Sequence, residues 1–226
     1  MSEECEDGQT VLSAEALVDA IDANTYLWLD EDRTRLGVVA VDVMGKAMAA
    51  AVTALRFSET LRYEARGRTR PVDIMGGVNR ALHETLEKST FVGYCMGAVD
   101  LRSHEIQISA GGYHPPLYYR QREDRVMELD LGDLPLGVRS DTDYASTHLA
   151  LESGDMLLFF SDGLIEAQDD REDEYGEARL QDLFLSTAHE RLDAEAIIER
   201  LLWDVGRFSA SVGQTDDITI IVLRVL

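Results

Sequence analysis

The sequence predicts an α+β domain in which two antiparallel β-sheets pack together and each carries a pair of helices on its outer side. The apolar segments run as strands, a helix pair, more strands, a second helix pair and a closing strand, unlike the alternation of a parallel βαβ fold. Short polar connectors join the strand-like segments, which favours antiparallel neighbours. The chain has 226 residues, 45% of them hydrophobic, which is enough for one substantial core.

A hairpin and two helices are the first predicted elements. Residues 26–29 and 36–43 are apolar, β-prone runs separated by a polar connector. From residue 46 to about 65 the apolar period becomes helical, and the predicted buried stripe is Met48, Ala51, Val52 and Leu55. Residues 71–87 form a second predicted helix, because proline is tolerated in a first helical turn. Its apolar face is Ile74, Val78, Leu82 and Leu86.

The second half of the chain repeats this order. The predicted strands cover residues 91–101, 105–112, 116–121, 126–131 and 156–160. Helices follow at about 177–189 and 194–205, and the closing strand covers residues 218–224. The stripe of the last helix is Ile197, Leu201, Leu202 and Val205. Residues 1–12 lack periodicity, so we expect a flexible acidic leader there and one folded domain over 13–226.

Composition excludes several classes of partner. The formal net charge of −22 should repel nucleic acid and anionic lipid, so we expect neither as a partner. No apolar run approaches the ~20 residues of a membrane span, and the N-terminus is acidic where a signal peptide is basic, which favours a cytoplasmic protein.

The sequence has no motif for a disulfide, a zinc site or an EF-hand. Cys5 and Cys95 have no disulfide or zinc spacing. The acidic run 166–177 lacks EF-hand spacing and is interpreted as a solvated loop.

Acidic residues stand at the ends of three predicted strands. Asp42 ends the strand 36–43, Asp162 follows the strand 156–160, and Asp216 with Asp217 precedes the last strand. Asp22, shortly before the first strand, is a further candidate. Taken singly, each aspartate is more often a turn or cap residue.

Convergence of these strand ends would place several carboxylates together. Each like-charge pair at ~4 Å costs about 4 kcal/mol at an effective dielectric of 20, which bound cations would offset. Oxygen ligands without histidine or cysteine favour magnesium or manganese over zinc. Two such ions can lower the pKa of a bridging water and direct it at phosphorus, which predicts phosphate ester hydrolysis.

Seven segments around these residues carry a family resemblance. In chain order they are VVAVDVMGKAMAAAV (38–52), FVGYCMGAVD (91–100), SAGGYHPPLYYR (109–120), LPLGV (134–138), LESGDMLLFFSDGLIEA (151–167), EYGEARL (174–180) and GQTDDITIIVLRV (213–225). The ordered set resembles the SpoIIE/RsbU-type bacterial serine phosphatases, which are metal-dependent protein phosphatases related to type 2C. The resemblance covers about residues 18–226. It implies an α-β-β-α sandwich with a two-metal centre between the sheets.

The resemblance also implies residue roles. Asp42 would bridge two Mn²⁺ or Mg²⁺ ions, and the backbone carbonyl of Val43 would be an additional ligand. Asp162 and Asp216 would bind one metal, with Asp217 as a neighbouring candidate. Asp42 and Asp162 would therefore act in catalysis through metal-bound water.

The segment around Asp22 departs from the family pattern. Counting back from Asp42 to the metal-binding aspartate of a GGDFYD-like segment arrives at Asp22. Ala20 and Ile21 replace both glycines, and Thr25 stands at the later aspartate. We therefore expect the second metal to be held weakly.

Two other motifs also differ from the family. The usual Asp-Val-Ser-Gly-Lys-Gly is Asp-Val-Met-Gly-Lys-Ala here, in which Gly45 and Lys46 are candidates for substrate binding. A solvated lysine at a helix start explains Lys46 equally well. The AGHNPP-like turn has become GGYHPP, with Tyr113 and His114 in its variable part. A structural turn residue is the favoured interpretation of His114 over a proton donor.

The predicted activity is hydrolysis of phosphoserine on a protein by metal-activated water, without a phosphoenzyme. The substrate class that the resemblance implies is a phosphorylated STAS-domain anti-sigma-factor antagonist of a partner-switching stress or sporulation pathway. A homodimer is left open as the assembly state. One alternative is a degenerate member with weak or no activity that serves as a binding module, and another is a small-molecule phosphatase.

Overall fold

The computed structural model describes residues 26–44, 47–87, 90–129, 131–213 and 217–226, without the side chains of residues 47–49. The predicted α+β architecture is confirmed, with two antiparallel sheets packed together and helices on both outer faces. The predicted leader over residues 1–12 lies outside the described residues. None of the described helices is both long and apolar enough to span a membrane.

The strands form a five-stranded and a four-stranded sheet. The first sheet has the order β1-β2-β3-β4-β7, with β1 at Tyr26–Trp28, β2 at Arg35–Val43, β3 at Val92–Asp100, β4 at Glu105–Gly111 and β7 at Thr147–Ala150. The second has the order β6-β5-β8-β9, with β5 at Leu117–Arg120, β6 at Arg125–Glu128, β8 at Met156–Phe160 and β9 at Ile220–Arg224. Strand β7 was not predicted, because four residues that are only half-buried or exposed carry little apolar signal.

Five α-helices complete the described part of the chain. They are α1 at Ala47–Glu64, α2 at Pro71–Thr85, the single turn α3 at Asp162–Ile165, α4 at Glu177–His189 and α5 at Ala194–Phe208. Residues of α1 and α2 share a buried cluster with the first sheet, and residues of α4 and α5 share one with the second. A short 3₁₀ helix at Gln121–Glu123 connects β5 to β6.

Side-chain alternation along the strands divides the core into layers. On β2, Val38 and Ala40 belong to the layer between the sheets, whereas Val39 packs on the side of α1 and α2. On β8, Phe159 belongs to the layer between the sheets and Phe160 to the layer under α4 and α5. The period of two therefore gives each strand one face in each layer. Because Asp42 follows Val38 and Ala40 at this period, it is directed toward the space between the sheets.

The predicted buried stripe of α1 was wrong. Ala51, Val52 and Leu55 are exposed, and the side chain of Met48 lies outside the described residues. The buried face carries instead Phe57 and Leu61, and the Phe57 ring packs edge-on against Tyr94 with centroids 5.9 Å apart. The Phe57 ring supplies a large apolar area that can pack on Tyr94, so the face of Phe57 and Leu61 turns inward and the face of Leu55 does not.

Most residues of the predicted buried stripes on α2 and α5 are buried, as predicted. Ile74, Val78 and Leu82 of α2 are fully buried, as predicted, and Leu86 packs beside them. On α5, Ile197, Leu201 and Val205 are buried, but Leu202 is 46% exposed. Leu202 follows Leu201 directly, so a helical turn of about 100° directs it away from the core stripe.

Candidate functional site

Asp42 lies where the inner face of the first sheet ends. It stands one residue before the end of β2, in register with Gly93 of β3. The row before it on the same face, Leu36, Val38 and Ala40, is buried, whereas Asp42 is exposed. The strand ladder therefore fixes the backbone of Asp42 while its carboxylate reaches the open end of the space between the sheets.

Asp162 is positioned by the end of β8 in the opposite sheet. The strand is fully buried up to Phe160, and Asp162 begins the single turn α3 with its Oδ1 accepting the backbone N–H of Gly163 at 2.9 Å. Ser161 holds this corner, because its N–H donates to the carbonyl of Thr219 at 3.1 Å and its Oγ accepts the N–H of Thr219 at 2.9 Å. Asp162 is half-buried.

Ser161 also connects this corner to the last predicted acidic segment. Its hydroxyl donates to the backbone carbonyl of Asp217 at 3.1 Å. Residues 217–219, which precede β9, therefore run alongside the β8–α3 corner. The backbone of Asp217 therefore lies next to Ser161, the residue before Asp162, although Asp162 and Asp217 are 55 positions apart in the chain.

The turn after β4 spans the gap between the sheets. Gly112 has φ +59°, and a Cβ at Gly93 would overlap the carbonyl oxygen of Gly112, so the turn presses against the strand position opposite Asp42. Two residues later, the His114 ring stacks on Phe160 with centroids 5.8 Å apart and planes 19° apart. The turn thus runs from the Asp42 end of the first sheet to the Asp162 end of the second.

Tyr113 lies in this turn and packs against the layer between the sheets. Burial raises the pKa of Tyr113 far above its ordinary value, and the neighbouring Cys95, Asp42 and Asp162 raise that pKa further. The phenol therefore stays neutral. Its hydroxyl oxygen is buried and has no hydrogen-bond partner among the described residues.

The structure describes only half of the predicted site residues. Asp42, Val43, Asp162 and Asp217 are described, and the first three lie at the facing ends of β2 and β8. The other four, Asp22, Gly45, Lys46 and Asp216, lie outside the described residues. Within residues 26–44, 47–87, 90–129, 131–213 and 217–226, no group of three or more His, Cys, Asp or Glu side chains could hold a metal ion.

The chemistry of the described part fits a hard divalent cation. Asp42 and Asp162 offer carboxylate oxygens, and Val43 offers a backbone carbonyl at the end of its strand; magnesium and manganese prefer such ligands. Cys95, a soft ligand on the neighbouring strand β3, is fully buried and burial raises the pKa of its thiol, so it remains protonated and is a poor metal ligand. The Asp42–Asp162 pair therefore fits a divalent cation in ligand type.

Sequence reasoning missed two features of this site. Tyr113 was noted only as a departure in the turn motif, and Gly93 was not singled out. The signal for Tyr113 is an aromatic residue directly after two glycines, but only the fold shows that its hydroxyl is buried, where Asp42 and Asp162 contribute to its raised pKa. Gly93 carries no local signal, since the atom it must avoid belongs to Gly112.

Gly93→Ala is expected to destabilise the protein by about 1–3 kcal/mol, because the added methyl group would displace the backbone of Gly112. Urea unfolding followed by circular dichroism measures the change. The matched control is Gly206→Ala in α5, where an added Cβ meets nothing within 4 Å and the better helix propensity should stabilise by about 0.5–1 kcal/mol. Equal stability changes in the two variants would contradict this description of the turn.

Known sequences that are similar to this chain include a family model and a curated phosphatase. The model of the family described as Stage II sporulation protein E (SpoIIE) matches residues 32–226. The chain is 25% identical over 143 residues to "Phosphoserine phosphatase RsbU" of Bacillus subtilis (strain 168), which covers 63% of this chain and 43% of that protein. The chain therefore spans less than half the length of this curated relative.

Solved structures share the same architecture. The SiaA-PP2C domain of Pseudomonas aeruginosa is similar with a TM-score of 0.76 at 20% identity, over 88% of this chain and 79% of that chain. The RsbU and RsbW domains of Rv1364c from Mycobacterium tuberculosis give a TM-score of 0.67 at 27% identity, over 88% and 57% of the two chains. RsbX in complex with magnesium gives 0.62 at 12% identity, over 88% of this chain and 83% of that chain.

Proposed function

Because this chain belongs to the SpoIIE family of PP2C-type, metal-dependent phosphatases, we propose that it hydrolyses phosphoserine on a regulatory protein. The similarity to a phosphoserine phosphatase, RsbU, supports this reaction. The substrate class we propose is a phosphorylated STAS-domain anti-sigma-factor antagonist. The observation that carries the proposal is that Asp42 and Asp162, 120 positions apart in the chain, stand at the end of β2 and just after the end of β8, two strands whose inner faces share one buried layer.

The proposed site assigns each acidic residue a place. Asp42, the Val43 carbonyl and Asp162, with Asp22, Asp216 and Asp217, would hold two Mn²⁺ or Mg²⁺ ions. When bound, such ions neutralise phosphate charge and lower the pKa of a bound water.

The chain's own residues supply the positioning. The β2–β3 ladder fixes Asp42, and the hydrogen bonds of Ser161 fix the backbone beside Asp162. Both carboxylates are therefore carried on backbone that hydrogen bonds hold in place. Little backbone freedom would be lost when they bind metal ions. Gly45 and Lys46, just after β2, are the proposed contacts to the substrate phosphate.

Charge constrains how the phosphoprotein would dock. The net charge of −22 opposes general attraction to an anionic substrate, so docking should depend on local apolar or complementary contacts. We propose a cytoplasmic location, which accords with a free, buried Cys95.

A comparison of substrates tests the proposed function. We expect manganese-dependent release of phosphate from a phosphoserine-bearing STAS-domain protein, and much slower release from free phosphoserine. A preference for free phosphoserine would indicate a small-molecule phosphatase. If the wild type hydrolyses p-nitrophenyl phosphate no faster than the Asp42→Ala variant does, the domain is a binding module and the proposal is wrong.

A further inference from the structure

A polar cavity lies beside α2, separate from the proposed metal site. Its volume is about 540 Å³, which is within the range of small-molecule sites. The connection from α1 to α2, residues 72–80 of α2 and the segment 142–146 before β7 form its walls. Three arginines line it: Arg68, Arg70 and Arg80. None of the described site residues belongs to its lining.

The charge of this cavity is opposite to that of the protein. The chain has 43 acidic and 21 basic residues, whereas the cavity has three arginines against two aspartates, Asp73 and Asp143. Asp143 is exposed to water. The Arg70–Asp73 ion pair is 3.7 Å long and its side chains are 60% and 49% exposed, so water weakens this pair. An anion that most of the surface repels is therefore attracted here.

Arg80 is the cation that most needs a partner in this cavity. It forms no ion pair or hydrogen bond with the part of the chain that the structure describes. Its side chain runs back along α2, and its Nη1 is 3.6 Å from the point where a Cβ at Gly76 would lie. Gly76 thus leaves open space beside the guanidinium. Because glycine weakens a helix interior, the stability of α2 does not explain this open space.

The other walls also offer hydrogen-bond donors. The Nη1 of Arg68 donates to the backbone carbonyl of Glu64 at 2.8 Å and pairs with the Glu64 carboxylate, which fixes the guanidinium. A guanidinium has five N–H donors, so others stay available to an anion. Val72 lines the cavity in the first turn of α2, where backbone N–H groups lack partners within the helix, and the N-cap residue Arg70 makes no side-chain cap hydrogen bond. Such a helix start favours an anion.

We propose that this cavity binds a small molecule that carries a diphosphate group, with Arg68, Arg70 and Arg80 as its cationic contacts. Arginine matches the oxygens of phosphate with paired N–H donors. Thr142 and Ser146 add hydroxyl donors on the wall before β7. Two adjacent phosphates place negative charge against more than one arginine, which favours a diphosphate over a single phosphate. This binding site goes beyond the proposed function and does not depend on it.

Isothermal calorimetry with sodium pyrophosphate and the metal-free full chain, in low salt, tests the inference. Without a cation, Asp42 and Asp162 repel the anion from the other site. The wild type should bind pyrophosphate saturably with a dissociation constant below about 1 mM, and orthophosphate at least about 10-fold more weakly. Arg80→Gln should weaken pyrophosphate binding by about 10-fold or more, since hydrogen bonds to charged groups are strong. The matched control is Arg66→Gln, which removes the same charge from an exposed position outside the lining and should change affinity by less than about twofold.

A second variant keeps Arg80 and neutralises its charge. Gly76→Asp places a carboxylate beside the Arg80 guanidinium and should also weaken pyrophosphate binding by about 10-fold or more. Its control is Gly76→Ala, whose added Cβ would be in ordinary contact with Arg80 at 3.6 Å and should leave the affinity unchanged. Thermal unfolding of each metal-free variant without pyrophosphate shows that the fold is intact.

The outcomes separate this inference from the proposed function. Absence of saturable pyrophosphate binding by the wild type overturns it, as does equally tight orthophosphate binding or equal affinity in Arg80→Gln and Arg66→Gln. Arg80→Gln should keep the wild-type rate of manganese-dependent p-nitrophenyl phosphate hydrolysis, and a lost rate would overturn the assignment of a separate site. Wild-type protein that binds pyrophosphate but hydrolyses no phosphoester contradicts only the proposed function.

Discussion

Asp42→Asn is expected to lower manganese-dependent phosphoester hydrolysis by more than about 100-fold, since loss of even an outer partner of a metal ligand costs 10- to 100-fold. Asparagine keeps the shape of the side chain but replaces an anionic oxygen with an amide. The change removes negative charge where the β2 and β8 ends meet, so cation affinity should fall with activity. Because Asp42 is exposed at a strand end and asparagine has nearly the same shape, the stability of the metal-free variant should stay within about 0.5 kcal/mol of the wild type.

Steady-state hydrolysis of p-nitrophenyl phosphate, together with thermal unfolding of the metal-free protein, measures both effects. The matched control is Asp141→Asn, whose side chain is 75% exposed and pairs with Arg139. This control should retain wild-type activity. An Asp42→Asn variant with half of the wild-type rate would show that Asp42 has no part in the reaction.

Phe159→Ala is expected to destabilise the fold by about 3–5 kcal/mol. Phe159 lies on the inner face of β8 and is 1% exposed, in the cluster that joins both sheets. Truncation removes a large apolar area and leaves a cavity between two hydrogen-bonded sheets, which cannot collapse freely to fill it. The change affects the layer that holds the strand ends of the site together.

The free energy of unfolding in urea measures this loss. Phe159→Leu retains most of the volume and should cost less than about 1.5 kcal/mol. Phe91→Ala, at a position that is 36% exposed just before β3, is the surface control and should cost well below the core variant. A loss under about 1 kcal/mol in Phe159→Ala would mean that this layer is not the core that joins the sheets.

Several elements could be predicted closely because their signal is local. The predicted strand 91–101 is β3 at Val92–Asp100, and the predicted helix 177–189 is α4 at Glu177–His189. Each depends on a period carried by neighbouring residues and on polar residues at its ends. The order of these elements also predicted the sandwich of two sheets, and the resemblance in motif order implied the same architecture.

Predictions that depended on a distant partner were less successful. The stripe on α1 was wrong because several of its faces carry apolar residues, and only contact with Tyr94 of β3 selects the face of Phe57. Strand β7 was not predicted, because it is a strand through its pairing with β4 and its own hydropathy gives no strand pattern. The roles assigned to Asp22 and Asp216 stay predictions, since both lie outside the described residues.

The sequence by itself determined the order of the elements other than β7, and the acidic residues at the strand ends. These properties follow from periods of 2 and 3.6 residues, which are complete within a short segment. Only the tertiary structure decided that Gly93 lies opposite Asp42, that Ser161 holds the segment at Asp217, and that His114 stacks on Phe160. Such contacts join residues tens of positions apart, and their geometry is set by how two twisted sheets pack and not by any local pattern.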